Sequence, residues 1–439
     1  MKETNFKVHD TKLFRYRSGL HVRHDLEIHL ALKPHGDHCD DEPLKFWLIE
    51  NGNVSVYTQR PLVQNGEFHF HLHVSKSILI GQYTLNSSVP YSKEKGKTAQ
   101  LCDVNVIFNP RLTQWNASNF DDKRIRRQTT SSAFNDEYLN NNYGYIWKGS
   151  RAIPWNYAVG SQVVTDSKNR LTRLMSRTER SSEVEYSRAL SKLIGNNVLY
   201  GRWNGYYDDG VEPSQWVGSE EILTRWLQSE LRVRYAQCWV FAAILTTILR
   251  ASGIPARTVT NYNSHRDRGL ITLSDGRIIV RQYDNIIQQD ERQWNFHVWS
   301  EAWLERPDLE EPADWNAVDA TPQEPSPLAP NQPYRAGPAY VPYIQSDRRI
   351  ANYDTYFILA EVNARGICPI TGRLLPTDVG YAVVTKLSGR QPVVYDFNYP
   401  EFITNNYKIP STSKRASDSA SPELPPPYTG CARDMEECA

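Results

Sequence analysis

The chain is short of cysteine. Six are spread over 439 residues: Cys39, Cys102, Cys238, Cys368, Cys431 and Cys438. They form no CxxC pair and no Cys/His cluster with zinc spacing, which argues against a metal-knuckle module and fits a reduced compartment. Net charge is also missing, because 50 Lys and Arg balance 50 Asp and Glu. That removes the electrostatic pull toward nucleic acid or anionic membrane. No apolar run reaches membrane-spanning length; the longest, Trp239 to Leu249, is broken by Thr246 and Thr247. The opening MKETNFKVHD has no apolar h-region, so no signal peptide is expected and a cytoplasmic location follows. The sequons at Asn53, Asn86 and Asn116 are then idle.

What is present is a sizeable apolar and aromatic content: 40% hydrophobic residues, with 12 Trp and 25 Tyr. The length suits two or three domains. Residues 1–109 carry short β-branched or aromatic segments such as LEIHLALK, NVSVYT and EFHFHLHV, separated by turn residues. This pattern predicts an antiparallel sandwich. The alternating His69, His71 and His73 read as the polar face of one such strand rather than a metal site. Residues 110–135 form a connector, with Lys123, Arg124, Arg126 and Arg127 as a solvated or protease-sensitive cluster. Residues 136–410 mix helix and strand, which predicts an α+β core. SSEVEYSRALSKLIG and SEEILTRWLQSELRVR have helical apolar spacing, and WVFAAILTTILRAS reads as a buried helix. ARTVTNY, WNFHVWSEAWLE, WNAVDAT, TYFILAEVNA and YAVVTKL read as strands. Residues 411–439 are a Ser/Pro-rich tail of disordered composition. Within it Pro425, Pro426 and Tyr428 form a Pro-Pro-x-Tyr match for WW-type partners, a short motif that also arises by chance.

Cys238 stands at the start of the apolar helix, which ends at Gly253 with Pro255 beyond. A thiol at a helix N-terminus meets the positive end of the macrodipole, which favours the attacking thiolate. The following backbone N–H groups point toward an incoming oxyanion. The competing reading is a buried structural cysteine, and position at the helix start counts against it. Alternation along QWNFHVWSEAW puts Asn295, His297, Trp299 and Glu301 on one face. Asp319, among the apolar residues of WNAVDAT, needs a partner, and a histidine N–H supplies one. Cys238 as nucleophile, His297 as base and Asp319 as its orienting group make a thiol triad.

The segments YAQCWVFAAILTTILRASGIPARTVTNYNS, WNFHVWSEAWLERPDL and WNAVDATPQE resemble the three active-site blocks of the animal transglutaminases. GRWNGYYDDGVEPSQWVGSEEILTRW, YDTYFILAEVNA and PWNYA resemble further blocks of that catalytic core, and RSGLHVRHDLEIHLAL its amino-terminal sandwich. The resemblance implies an immunoglobulin-like β-sandwich followed by a papain-like cysteine-nucleophile core. It implies acyl transfer from a protein glutamine through a Cys238 thioester to a lysine or polyamine amine, with deamidation when water replaces the amine. Trp203 matches the family's oxyanion-stabilising tryptophan, and Trp294 the second wall of the channel to the thiol.

Four departures stand against this pattern. Ala236 replaces a glycine in YAQC, which strains the chain if φ there is positive. The implied calcium sites are depleted: Asn363 is kept as a candidate ligand, but Arg365 replaces an aspartate and Arg266 and Arg268 crowd Asp267. No counterpart of the family's two carboxy-terminal β-barrels is read, so neither the tyrosine lid nor the nucleotide site at their junction is expected. The tail is unlike the family. A non-catalytic transglutaminase-like scaffold is the alternative reading, and a papain-like protease or amidase a third.

Overall fold

The computed structural model describes residues 14–16, 19–23, 27–32, 44–50, 53–59, 62–64, 67–73, 78–88, 98–108, 134, 136–149, 151–265, 270–272, 278–280, 293–322, 336–346, 355–363, 366–367, 374–375, 379–388 and 400–408. The connector's basic cluster, Asp267, Arg365 and the Pro-Pro-x-Tyr motif lie outside them. Two compact units divide the chain: Met1–Arg111 with Gly160–Tyr186 and Ala251–Ile254, and Leu112–Val159 with Ser187–Arg250 and Pro255–Ala439.

Among the described residues the first unit holds nine strands, β1 (Phe14–Tyr16), β2 (Gly19–Arg23), β3 (Glu27–Leu32), β4 (Leu44–Glu50), β5 (Asn53–Gln59), β6 (Leu62–Gln64), β7 (Glu67–His73), β8 (Gly81–Ser88) and β9 (Thr98–Ile107). They form a six-stranded sheet in the order β1-β2-β9-β8-β4-β5 and a three-stranded sheet β3-β7-β6. The pairing is antiparallel except for β2 with β9, which run parallel. Tyr83 and Leu85 on β8 and Val104 and Val106 on β9 are buried at alternate positions, the period that a one-sided sheet demands. Helix α1 (Gln162–Arg173) is capped by Ser161, whose hydroxyl accepts the Val164 N–H. It carries buried polar groups into this unit. Lys168 reaches Asn105 at 3.5 Å, Asn169 donates to Asn105 at 2.9 Å, and Arg180 pairs with buried Glu50 at 2.5 Å.

The second unit begins with the hairpin β10 (Tyr143–Lys148) and β11 (Arg151–Asn156). Helix α2 (Glu183–Leu193) leads through a short π-turn to β12 (Leu199–Gly201). Then follow α3 (Ser219–Ser229), β13 (Val233–Ala236) and the helix α4 (Cys238–Ala251). β14 (Ala256–His265), β17 (Gln293–Arg306), β18 (Glu311–Asp319), β19 (Ala336–Tyr340), β22 (Ala382–Lys386) and β23 (Pro400–Phe402) make a six-stranded antiparallel sheet, ordered β19-β18-β17-β14-β22-β23. The small ribbons β15 (Leu270–Thr272) with β16 (Ile278–Val280) and β20 (Gly366–Ile367) with β21 (Leu374–Leu375) stand apart from it. Short helices α5 (Val341–Gln345), α6 (Thr355–Asn363) and α7 (Thr404–Tyr407) complete the unit.

Helix α4 is apolar on every side, and Val240, Phe241, Ile244, Leu245, Ile248 and Leu249 have no exposed surface. Burying each such side chain contributes about 1.5–3 kcal/mol. The two threonines that interrupt the apolar run are buried and partnered: Thr246 meets Ser300 at 3.0 Å, and Thr247 bonds Ala243 O and Ser219. The Thr246–Ser300 bond ties the helix to β17, three residues beyond His297.

Two sequence expectations are corrected. TYFILAEVNA is helix α6, not a strand. Ile358, Leu359 and Val362, all buried, stand at helical spacing, which a run apolar at nearly every position hides from a period-two reading. The helix read through SEEILTRWLQSELRVR stops at Ser229, because Glu230 turns left-handed (φ 60°) and the chain re-enters as β13. No helix among the described residues is long and apolar enough to cross a membrane.

Candidate active site

Cys238 is the first residue of α4 and is buried. Val240 and Phe241 N–H groups are both satisfied by Gln237 O, at 2.8 and 3.1 Å. Ala236, before it, lies in β13 and is not among the residues with positive φ, so alanine is unstrained there.

His297 lies mid-strand in β17, opposite Asn261 of β14, and is fully buried. Ser300 pairs with Val318 across β17 and β18. Continuing that register sets Asp319 opposite Trp299, one diagonal step from His297, within side-chain reach. The His297 Nε2 to Asp319 Oδ2 distance is 2.7 Å. Asp319 Oδ1 accepts the Thr321 N–H at 2.8 Å, which fixes the carboxylate. With Nε2 committed to Asp319, Nδ1 is the ring nitrogen left to act on the Cys238 thiol.

A second carboxylate faces the same imidazole. Glu361, from α6, has Oε1 3.8 Å from His297 Nε2 and is buried. Its Oε2 accepts the Ser264 hydroxyl at 2.7 Å, and its backbone oxygen accepts Asn261 Nδ2 at 2.8 Å. Burial alone would lower the His297 pKa, but the charges of Glu361 and Asp319 and the bonds to Asp319 and Cys238 win. The imidazole is held well above its ordinary value, so the charged form is favoured. Sequence reading missed Glu361. The available signal was the one used for Asp319, a carboxylate among apolar residues that requires a partner.

The two tryptophans stand differently. Trp294 is half-buried, with its ring 4.1 Å from the His297 ring. Trp203 is half-exposed and lies flat on Phe241, three residues past the nucleophile, with ring centroids 6.5 Å apart and 8° between planes. A side chain at Gly201 would come within 2.6 Å of the Trp203 ring, so glycine is what lets the indole fold back there. Behind His297, on the same face of β17, Trp299 donates to Tyr407 at 3.2 Å, and Tyr407 donates to Glu301. Glu301 also pairs with buried Arg257 at 2.6 Å. This locks α7 beneath the strand that carries the base.

Asn363, the candidate calcium ligand, donates its amide N–H groups to Ile344 O at 3.3 Å and Tyr407 O at 3.0 Å. A cation site needs oxygen lone pairs converging on one point. Here the Asn363 side-chain nitrogen bridges two carbonyls as a donor.

Residues 173–320, which contain the cysteine, histidine and aspartate, match the transglutaminase-like superfamily. Human protein-glutamine gamma-glutamyltransferase 5 is 34% identical over 353 residues, covering 74% of this chain and 44% of that protein. The bovine protein-glutamine gamma-glutamyltransferase 2 is 33% identical over 370 residues, covering 75% of this chain and 50% of that protein. Annulin of Schistocerca americana is 35% identical over 311 residues, covering 63% and 38%. The chain thus spans about half the length of the curated relatives it matches. Among solved structures, red sea bream transglutaminase superposes with a TM-score of 0.68 at 27% identity, covering 89% of this chain and 62% of that one.

Proposed function

We propose that this chain, whose residues 173–320 match the transglutaminase-like superfamily, is a protein-glutamine gamma-glutamyltransferase. One observation carries the reading: a buried imidazole, 2.7 Å from a buried aspartate, whose pKa is raised in part by a helix-first cysteine. Cys238 as thiolate adds to the carboxamide carbon of a protein glutamine. The imidazolium gives its proton to the leaving nitrogen, the C–N bond breaks, and ammonia departs. The thioester is then attacked by a lysine or polyamine amine, whose proton passes to His297, and an isopeptide bond forms as the thiolate leaves. Water in place of the amine gives glutamate. Asp319 keeps the ring oriented and balances its charge. Trp294, against the ring, is read as a channel wall, and Trp203 as the oxyanion-side tryptophan.

The finer architecture belongs to the same proposal: an immunoglobulin-like sandwich over 1–109, a connector over 110–135, a papain-like core over 136–410 and a tail over 411–439. The two sheets formed by β1–β9 support the first. We propose that the activity is uncoupled from calcium, because Arg365 stands where the resemblance implies an aspartate and Arg266 and Arg268 crowd Asp267. A WW-domain partner at Pro425, Pro426 and Tyr428 and a cytoplasmic location complete the reading, both carried by sequence alone.

The test incubates the protein with a glutamine-donor protein and a tagged primary amine, with calcium or with chelator, beside Cys238→Ala. Cys238-dependent tagging in both conditions is expected. Tagging absent in both sinks the acyl-transfer reading and favours the scaffold alternative, whereas peptide cleavage would favour a protease.

A further inference from the structure

Lys148 ends β10 at the hairpin turn, and its backbone is held on both sides. Thr260 donates to Trp147 O at 2.8 Å, and Tyr262 donates to Gly149 O at 2.6 Å. Both anchors come from β14, the strand beside the one carrying His297. The ammonium rests 4.0 Å from the centroid of the Trp239 ring. Trp239 directly follows the nucleophile, and its ring lies 6.3 Å from that of Phe296, which directly precedes the base. Lys148 therefore sits on the aromatic pair that adjoins both reacting residues.

The charge is partly taken out of water without an ion pair in return. Burial lowers the Lys148 pKa, while Glu212 and Cys238 act on it from a distance in the opposite sense. Among the described residues no carboxylate lies within ion-pair distance of it. An indole face compensates an ammonium only in part, so an arriving carboxylate would gain a charge-assisted hydrogen bond. Three other cations of this unit that lie near aromatic rings are paired: Arg257 with Glu301, Arg202 with Asp209 and Arg225 with Glu221.

We propose that Lys148 is a specificity-determining residue, which reads a carboxylate flanking the reactive glutamine of the acyl-donor protein. This rests on the acyl-transfer reading and names the donor class for it: glutamines in acidic sequence, with basic neighbours disfavoured. A half-buried pair of this kind corresponds to roughly a threefold to tenfold preference, weakened by salt.

The test uses three glutamine peptides that differ only in an aspartate, asparagine or lysine beside the glutamine. kcat/KM for amine incorporation is measured with the full chain, Lys148→Gln and Lys148→Glu, at low and high salt. Binding of the same peptides to Cys238→Ala is followed in parallel by fluorescence anisotropy. The expected order is acidic over neutral over basic, flattened by Lys148→Gln, inverted by Lys148→Glu, and compressed by salt. An unchanged order in the variants overturns the proposal. So does an equal fall for all three peptides, which would make Lys148 a general aid to the thiolate. If the full chain transfers to no peptide, the acyl-transfer reading fails. The binding order then judges Lys148 alone: a preference that follows its charge keeps it as a reader of acidic peptides, and none rejects it.

Discussion

At the scale of single residues, two carboxylates on one buried imidazole are the main electrostatic fact. Asp319 is at hydrogen-bond distance and orients the ring; Glu361, at 3.8 Å, adds charge without a direct bond. The two substitutions should therefore behave differently. Asp319→Asn removes the orienting acceptor and is expected to lower kcat by about 10²–10⁴-fold in steady-state amine incorporation. Glu361→Gln keeps shape and the Ser264 contact but removes a charge that raises the His297 pKa. The imidazolium is then lost at lower pH, so the alkaline limb of the kcat/KM profile should move to lower pH. An unshifted profile would show that Glu361 does not act through His297. Gly201→Ala tests the seat of Trp203: it should reduce kcat in the parent protein and have little further effect in Trp203→Ala. Equal effects in both backgrounds would separate Gly201 from the indole.

Elements decide whether these residues meet. Position of a cysteine at a helix start was legible in the sequence because the apolar run has a clear beginning and a Gly stop. The strand β17 was legible too, but both of its faces are buried from His297 to Leu304, so period-two spacing gave the shared face of His297, Trp299 and Glu301 without giving exposure. Pairing of Asp319 with His297 was an inference from chemistry, and register delivers it. Helix α6 was misread, and Glu361 was missed with it. A short segment apolar at nearly all positions has no period to read, and a carboxylate on it shows no partner until tertiary contacts form. Lys148 was equally invisible, because a cation on an indole ring leaves no mark in sequence spacing. The tie between α4 and β17 makes a prediction at this scale. Ser300→Ala leaves Thr246 short of a partner and also removes the bond to Ala242 O. A loss of about 1–3 kcal/mol in denaturant unfolding is expected. No measurable loss would mean that packing alone holds the helix on the strand.

For the whole molecule, stability is split between two units of different character. The second has an aromatic core around Trp299, Trp303, Trp315 and Tyr407. The first carries buried charge, with Lys168 fully enclosed and its pKa pulled down to about 7 by burial and by the charges of Arg173 and Arg180, which together outweigh the attraction of Asp166 and Glu50. The sign follows from linkage. Between pH 10.5 and about 7 the unfolded chain binds a proton that the folded chain does not, so stability falls as pH falls through that window and levels off below it. Lys168→Met should therefore raise Tm most at pH 7 and below, with the gain fading toward pH 10. A gain independent of pH would contradict this account. Calcium belongs to this scale as well: with Arg266, Arg268 and Arg365 among the implied ligand positions, adding calcium or chelator should shift Tm by no more than the effect of ionic strength.

The central claim is that Cys238, held by His297, forms a thioester with a protein glutamine. The most direct measurement is intact-mass spectrometry of protein mixed with a glutamine peptide in the absence of amine, then quenched in acid. The account predicts an adduct of the peptide mass less ammonia, mapped to Cys238, removed by hydroxylamine and absent from Cys238→Ala. No adduct, or one that persists in Cys238→Ala, would contradict it.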